Sequence, residues 1–358
     1  PIPGVNVQVD QTTHAFRFGT AVNNWRLFPQ NPTADHVRYA ETIEQYFNQG
    51  TLESGHKWTG WETRRQQAID TVDWLRDRDM TVRGHVLLWP SWRRSPTHLR
   101  DFENQPNELR IRIAAHFDDI LDTTRGLVTD WDVVNEPQTH FDILDVLGHD
   151  YVIEAFQTAR LFDPAARLFL NEALNFNTVD KLRIFEQQAL DWRSRGAPID
   201  GLGIQAHYSG WSLTPPEKIW EELDRLAVHG FRLQITEFDI DTEDEDLQAR
   251  YLRDFYTAVF AHPAVDTIQM WGFWEGSHWK PKAALWRNNW DIKPSGQAYI
   301  DLVENEWRTR TTLTTAANGM AFVRGFLGNY TLTLTHGGET RTVTLNLTRY
   351  TAPVEITW

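Results

Sequence analysis

The chain reads as an α/β protein: a (β/α)8 TIM barrel followed by a small all-β module at its carboxyl end. Three observations predict this. Strand-like and helix-like segments alternate through about 300 residues, which fits a barrel whose usual size is roughly 250. Each strand-like segment ends in polar or aromatic residues, as expected where strand ends open into a cleft. The rival open sheet normally carries a Gly-rich phosphate turn after its first strand, and none is present.

Taken in order, Phe16 to Val22 is the first strand, with a helix near 34–47 behind it. Phe47 to Glu53 is the second, and Ile69, Val72 and Leu75 mark one face of a helix near 62–78. Thr81 to Leu88 is the third, and Ile113, Phe117, Ile120 and Leu121 recur at helical spacing after it. The fourth, Trp131 to Pro137, is central. Its short apolar run ends in an amide, a carboxylate and a proline, the signature of a buried strand that opens at its carboxyl end. A helix near 150–162, the strand Arg167 to Asn171, and a helix bearing Leu182, Phe185 and Ala189 follow. Gly201 to His207 is the sixth strand, with Ile219, Leu223, Leu226 and Ala227 on its helix. Phe231 to Asp239 is the seventh, with a helix near 246–261. Thr267 to Trp274 is the eighth, and Pro294 opens the last helix.

Beyond Trp307, Thr-rich alternation replaces helical periodicity: Tyr330, Leu332 and Leu334, a turn at His336 to Glu339, then Val343, Leu345 and Leu347. The expected division is a barrel over 1–307 and a β-sandwich-like accessory module over 308–358, structural in role rather than sugar-binding.

Composition narrows the function. A formal charge of -14 with no basic block argues against nucleic acid and anionic membranes, and leaves a neutral partner. Zero cysteines exclude disulfides, thiolate metal sites and a cysteine nucleophile. No apolar stretch is long enough to span a membrane. The 17 tryptophans offer flat apolar faces for sugar rings, or core filling. A chain opening at Pro1 is expected to be a fragment or a processed form.

The strand ends collect Asn23, Asn24, Glu53, His85, Trp89, Asn135, Glu136, Asn171, Glu172, Gln205, His207, Glu237, Asp239, Trp271 and Trp274. Two carboxylates at two buried strand ends, among amides, imidazoles and tryptophans, suit glycoside hydrolysis. One carboxyl gives a proton to the leaving oxygen, and the other attacks the anomeric carbon or activates water. Glu136 is the candidate acid. Glu237, with His207 on the preceding strand and Asp239 two residues on, is the candidate nucleophile. Metal-dependent hydrolysis is disfavoured by the absence of His-x-His and His-Glu-x-x-His, and a serine hydrolase by the absence of Gly-x-Ser-x-Gly. No cofactor or metal is expected.

Trp131 to Pro137, Ile235 to Asp239, Arg83-Gly84-His85 with Trp89, Gly203 to His207 and the Trp271-Gly272 strand together resemble glycoside hydrolase family 10, the endo-β-1,4-xylanase family. The match runs in order over nearly all of residues 4 to 307. Plant-type members are similar also in Gly4-Val5-Asn6-Val7, in His262 to Val265 and in a terminal β module containing Arg324-Gly325-Phe326. The resemblance implies a retaining endo-β-1,4-xylanase, with Glu136 as acid/base and Glu237 as nucleophile. It implies that His207 and Asp239 orient Glu237, and that Asn135 bonds the sugar 2-hydroxyl. Glu53, Lys57, His85, Gln205, Trp271 and Trp279 would line the donor subsites, with Trp89 and Asn171 added to the substrate-binding set. A monomer acting on a neutral xylan-type polysaccharide, at an extracellular, periplasmic or cell-surface location, is the expectation.

Three departures concern the substrate rather than the catalytic pair. The family's Glu-Asn-x-x-Lys-Trp is Glu53-Ser54-Gly55-His56-Lys57-Trp58 here, its Trp-His is Trp89-Pro90, and its Asn-Asp-Tyr-Asn is Asn171-Glu172-Ala173-Leu174-Asn175. A transglycosylase with the same chemistry, or a noncatalytic carbohydrate-binding barrel, are the alternatives.

Overall fold

A computed structural model describes residues 1–357, which form two compact units. The larger covers Phe18–Ala298. In it, strands β2 (Arg17–Val22), β3 (Gln49–Leu52), β4 (Thr81–Gly84), β5 (Val128–Asn135), β6 (Arg167–Glu172), β7 (Gly201–Ile204), β9 (Arg232–Asp241) and β10 (Val265–Met270) follow one another around a closed barrel, the last returning to β2. The short β8 (His207–Ser209) pairs in parallel with the far end of β9. Strands covered on both faces read as unbroken buried runs, and β2, β3 and β7 are buried at every position.

Helices α1 (Asn24–Leu27), α2 (Ala34–Tyr46), α3 (Trp58–Arg76), α4 (Pro106–Thr124), α5 (Asp142–Leu147), α6 (Tyr151–Phe162), α7 (Val179–Ser194), α8 (Pro216–Ala227), α9 (Glu245–Ala261) and α10 (Pro294–Ile300) occupy the connections. Their starts follow local chemistry. Pro106 and Pro216 stand in first-turn positions where the missing N–H costs nothing. Asp244 caps α9 by accepting from the Leu247 N–H at 2.9 Å, a contact whose loss costs about 1 kcal/mol. Helix α8 buries Ile219, Leu223 and Leu226, a stripe at the helical period.

The barrel interior is partly polar. Arg83 and Asp132 form a fully buried ion pair, and Arg83 Nε also donates to Gln234 Oε1 at 3.0 Å. Gln234 in turn donates to Asp130 at 2.7 Å. Arg83→Ala would strand a buried carboxylate, a loss of about 3 to 5 kcal/mol.

Two strands stop earlier than the hydrophobic runs predict. The third ends at Gly84 rather than Leu88, and the eighth at Met270 rather than Trp274. The sixth is split, because Ala206 takes a left-handed φ of 62° and breaks the extended run between Ile204 and His207.

The second unit joins Pro1–Arg17 to the residues from Tyr299 onward. Its antiparallel sheet runs β11 (Arg310–Thr314), β1 (Asn6–His14), β12 (Gly328–His336), β13 (Glu339–Leu347). This corrects the expected division into 1–307 and 308–358. Strands β11 and β12 do not pair; β1 lies between them, and Val5, Val7 and Val9 pack with Tyr330 and Leu334 as the core. A carboxyl-terminal strip alone has too little apolar surface, so the amino terminus supplies the central strand. Among the described residues no helix is long and apolar enough to cross a membrane.

Candidate active site

Glu136 follows the last residue of β5 and is buried, with a left-handed φ of 56°. For a non-glycine residue that conformation costs on the order of 1 to 3 kcal/mol, and the surrounding bonds hold it. The Glu136 N–H donates to the Asn171 carbonyl at 2.8 Å, and its own carbonyl accepts from the N–H groups of Thr139 and His140. Its carboxylate accepts from Gln205 Nε2 at 2.7 Å and from Asn135 Nδ2 at 3.4 Å. His140 Nε2 lies 3.3 Å from the other oxygen.

Glu237 is equally buried, within β9. Its Oε1 accepts from Asn171 Nδ2 at 3.0 Å, and its Oε2 lies 3.2 Å from His207 Nε2. The other nitrogen of His207 is 3.0 Å from Asp239 Oδ2. Burial pushes the Glu237 carboxyl up, but the His207 bond and the charges of His85 and His207 outweigh it, so Glu237 is held below the ordinary glutamate value. Burial lowers His207, and Asp239 with Glu237 more than reverses this, raising it to about 9. The imidazolium therefore sits between two carboxylates.

Two residues tie the pair together. Gln205 donates its side-chain amide to Glu136 and accepts from the Glu237 N–H at 3.1 Å with its carbonyl. Asn171 donates to Asn135 Oδ1 at 2.8 Å as well as to Glu237, while its own Oδ1 accepts from Thr236 Oγ1 at 2.7 Å. Gly203 makes room for this: a Cβ there would stand 2.2 Å from Asn171 Oδ1. Asn171 was expected among the sugar contacts. It is fully buried, with both amide atoms bonded to protein. Gln205, expected on the donor wall, is likewise buried and joined to Glu136.

The remaining predicted residues make the following contacts. Glu53 accepts from Asn23 Nδ2 at 3.0 Å, and burial pushes its carboxyl up against the opposing effect of Lys57. Lys57 is the N-cap of α3, where a cation opposes the helix dipole. Its Nζ lies 5.4 Å from the Trp89 ring centre and 5.8 Å from that of Trp271, and burial lowers it while Glu237 and Glu53 raise it. His85 pairs with Asp132 at 2.9 Å, approaches Glu237 Oε1 at 4.0 Å and meets Trp271 edge-on at 5.0 Å. Trp279 donates to Asp239 Oδ2 at 2.8 Å and keeps half its surface exposed.

Sequence reasoning missed Asp132, His140 and Thr236. Asp132 was visible as an acid inside a buried strand, and His140 as an imidazole four residues past Glu136; Thr236 carried no signal. Glu172, noted only as a strand-end acid, is buried, and desolvation lifts it to about 7 against bonds from the Gln138 and Ala173 N–H groups. Among the described residues no cluster of His, Asp and Glu could hold a metal.

Comparison with known proteins adds the following. The family model for glycosyl hydrolase family 10 matches residues 8–302. The anti-sigma-I factor RsgI6 of Acetivibrio thermocellus is 31% identical over 368 residues, covering 100% of this chain and 46% of that protein. Endo-1,4-beta-xylanase 1 of Arabidopsis thaliana is 27% identical over 335 residues, covering 91% and 34%. The chain thus spans less than half the length of these relatives. Xylanase 10B of Thermotoga petrophila, solved in complex with xylobiose, superposes with a TM-score of 0.73 at 26% identity, over 82% of this chain and 95% of that one. With this match, and with an eight-stranded barrel carrying buried Glu136 and Glu237 at its strand ends, the chain belongs to glycoside hydrolase family 10.

Proposed function

We propose that the chain is a retaining, endo-acting glycoside hydrolase that cleaves β-1,4-xylan. The carrying observation is the double bridge through Gln205 and Asn171, which couples Glu136 to Glu237 while leaving their surroundings unlike. Glu237 faces the imidazolium of His207 and stays ionised, fit to attack. Glu136 faces two amides and an imidazole that can accept or donate, fit to pass a proton in either direction.

In the first step a Glu237 oxygen bonds to the anomeric carbon, the glycosidic C–O bond breaks, and Glu136 gives its proton to the departing oxygen. In the second, Glu136 takes a proton from water as that water bonds to the anomeric carbon and releases Glu237. Glu53, Lys57, His85, Trp271 and Trp279 hold the donor sugars, and Asn135 takes the 2-hydroxyl of the sugar being cleaved. Family membership, the xylanases among the relatives and the xylobiose complex of the Thermotoga enzyme support xylan as substrate.

The test is NMR of fresh xylooligosaccharide hydrolysate. The β-anomer should appear first, and a carboxyl separation of about 5 to 5.5 Å is expected; an α-anomer appearing first overturns the retaining assignment. A second reading, which the match to a protein named as an anti-sigma factor rather than a xylanase leaves open, is a barrel that binds the sugar without cleaving it. Bound but uncleaved xylohexaose would select it.

A further inference from the structure

We infer that Arg94 forms a recognition site for the carboxylate of a uronic-acid side group carried by the xylan backbone. The inference rests on the proposed activity and deepens it. Arg94 is exposed, and among the described residues it has no carboxylate partner. Its guanidinium lies 4.5 Å from the ring centre of Trp89, which fixes it against an aromatic face while leaving its edge free to donate.

The contact places the charge at the cleft. Trp89 is also 5.4 Å from Lys57 Nζ, Lys57 is 5.8 Å from Trp271, and Trp271 packs on His85, which reaches Glu237. Through Trp89, Arg94 stands next to Lys57. Lys57 is engaged by Glu53 and Glu237. Arg94 has no such partner, and a neutral sugar gives a guanidinium little to neutralise. A carboxylate on a side group gives it a planar acceptor that matches its paired N–H groups. Arg93 does not share the role: it lines a separate hollow of about 550 Å³ together with Glu103, Asp142 and Asp145, whose charges oppose an anion.

The experiment compares three substrates: a xylan bearing uronate side groups, the same polymer after carboxyl reduction, and linear xylohexaose. The unmodified protein should show kcat/KM about threefold to tenfold higher on the uronate polymer than on its reduced form, and added salt should shrink the difference. Arg94→Gln should abolish that preference, Arg94→Lys should keep part of it, and Arg93→Gln should keep all of it. Xylohexaose turnover should be unchanged in each variant. Equal rates on the two polymers, or an equal loss on xylohexaose in Arg94→Gln, overturn the inference. Absence of xylohexaose turnover overturns instead the parent reading. In that case affinity electrophoresis in the same two polymers still decides: tighter retention in the uronate form, lost in Arg94→Gln, supports the site, and equal retention overturns it.

Discussion

The Nε2 atom of His207 lies 3.2 Å from Oε2 of Glu237, while its other nitrogen is 3.0 Å from Asp239. Glu237 is held below its ordinary value, so this pairing stabilises the fold above that value and the contribution is lost as pH falls through the lower native one. His207 is raised to about 9 from 6.5, so its contribution is complete below 6.5 and lost as pH rises through about 9. His207→Asn removes the cation, and the acid limb of the kcat/KM profile should move upward by about one pH unit. Asp239→Asn should act in the same direction more weakly. An unmoved acid limb would show that His207 does not tune Glu237.

Glu136→Ala should still form the glycosyl-enzyme from a substrate with a good leaving group, because that step needs little protonation, while its hydrolysis slows. Azide should restore turnover and give a β-glycosyl azide. Glu237→Ala should be inactive on every substrate and, with azide, give at most an α-product. Exchanged behaviour would reverse the two roles.

Gly203→Ala places a methyl 2.2 Å from Asn171 Oδ1 and 2.9 Å from Thr236 Cγ2, so Asn171 must shift. Its bonds to Asn135 and Glu237 then loosen together. The expected result is a fall in kcat of about tenfold or more with a smaller change in KM, since misplacement at the reacting centre weakens the transition state most. A rise in KM alone would mean that Asn171 does not position Glu237.

Ser54→Asn addresses the departure beside Glu53. Ser54 is exposed, and one hydrogen bond gained there is worth about 0.5 to 1.5 kcal/mol. kcat/KM on linear xylooligosaccharides should rise a few fold, with little change on a single-sugar aryl glycoside. Asn23, already bonded to Glu53, is the group that would mute the gain. A loss on the oligosaccharides, or an equal change on both substrates, points to a different or decorated backbone.

Val9→Asp tests the makeup of the smaller unit. Val9 is 2% exposed on the strand between β11 and β12, so a carboxylate there has no polar partner. Residues 310–347 should become sensitive to proteolysis at a temperature that leaves the unaltered protein intact. Unchanged resistance would show that these residues stand without β1.

How much was legible follows from what each feature depends on. The alternating elements of the barrel were readable because burial on both strand faces and one helix face imposes periods of residue type. The candidate pair was readable because an acid at the end of an apolar strand is conspicuous at Glu136 and Glu237. Strand ends were less so: Ala206 breaks a run that hydrophobicity alone would continue, and its left-handed backbone has no marker in residue type. The amino-terminal strand was missed because its partners, β11 and β12, lie some 300 residues away, a separation no local pattern reports.

Sequence by itself determined that two carboxylates, an imidazole and a set of amides stand at the ends of barrel strands, since a strand's position and direction follow from local periodicity. Only the tertiary structure decided which of those groups meet. Asn171 bonding to Glu237, Gln205 bonding to Glu136 and β1 joining the carboxyl-terminal sheet all depend on contacts across strands. Those contacts are settled by barrel closure and side-chain packing, at distances of a few ångströms that residue order alone does not specify.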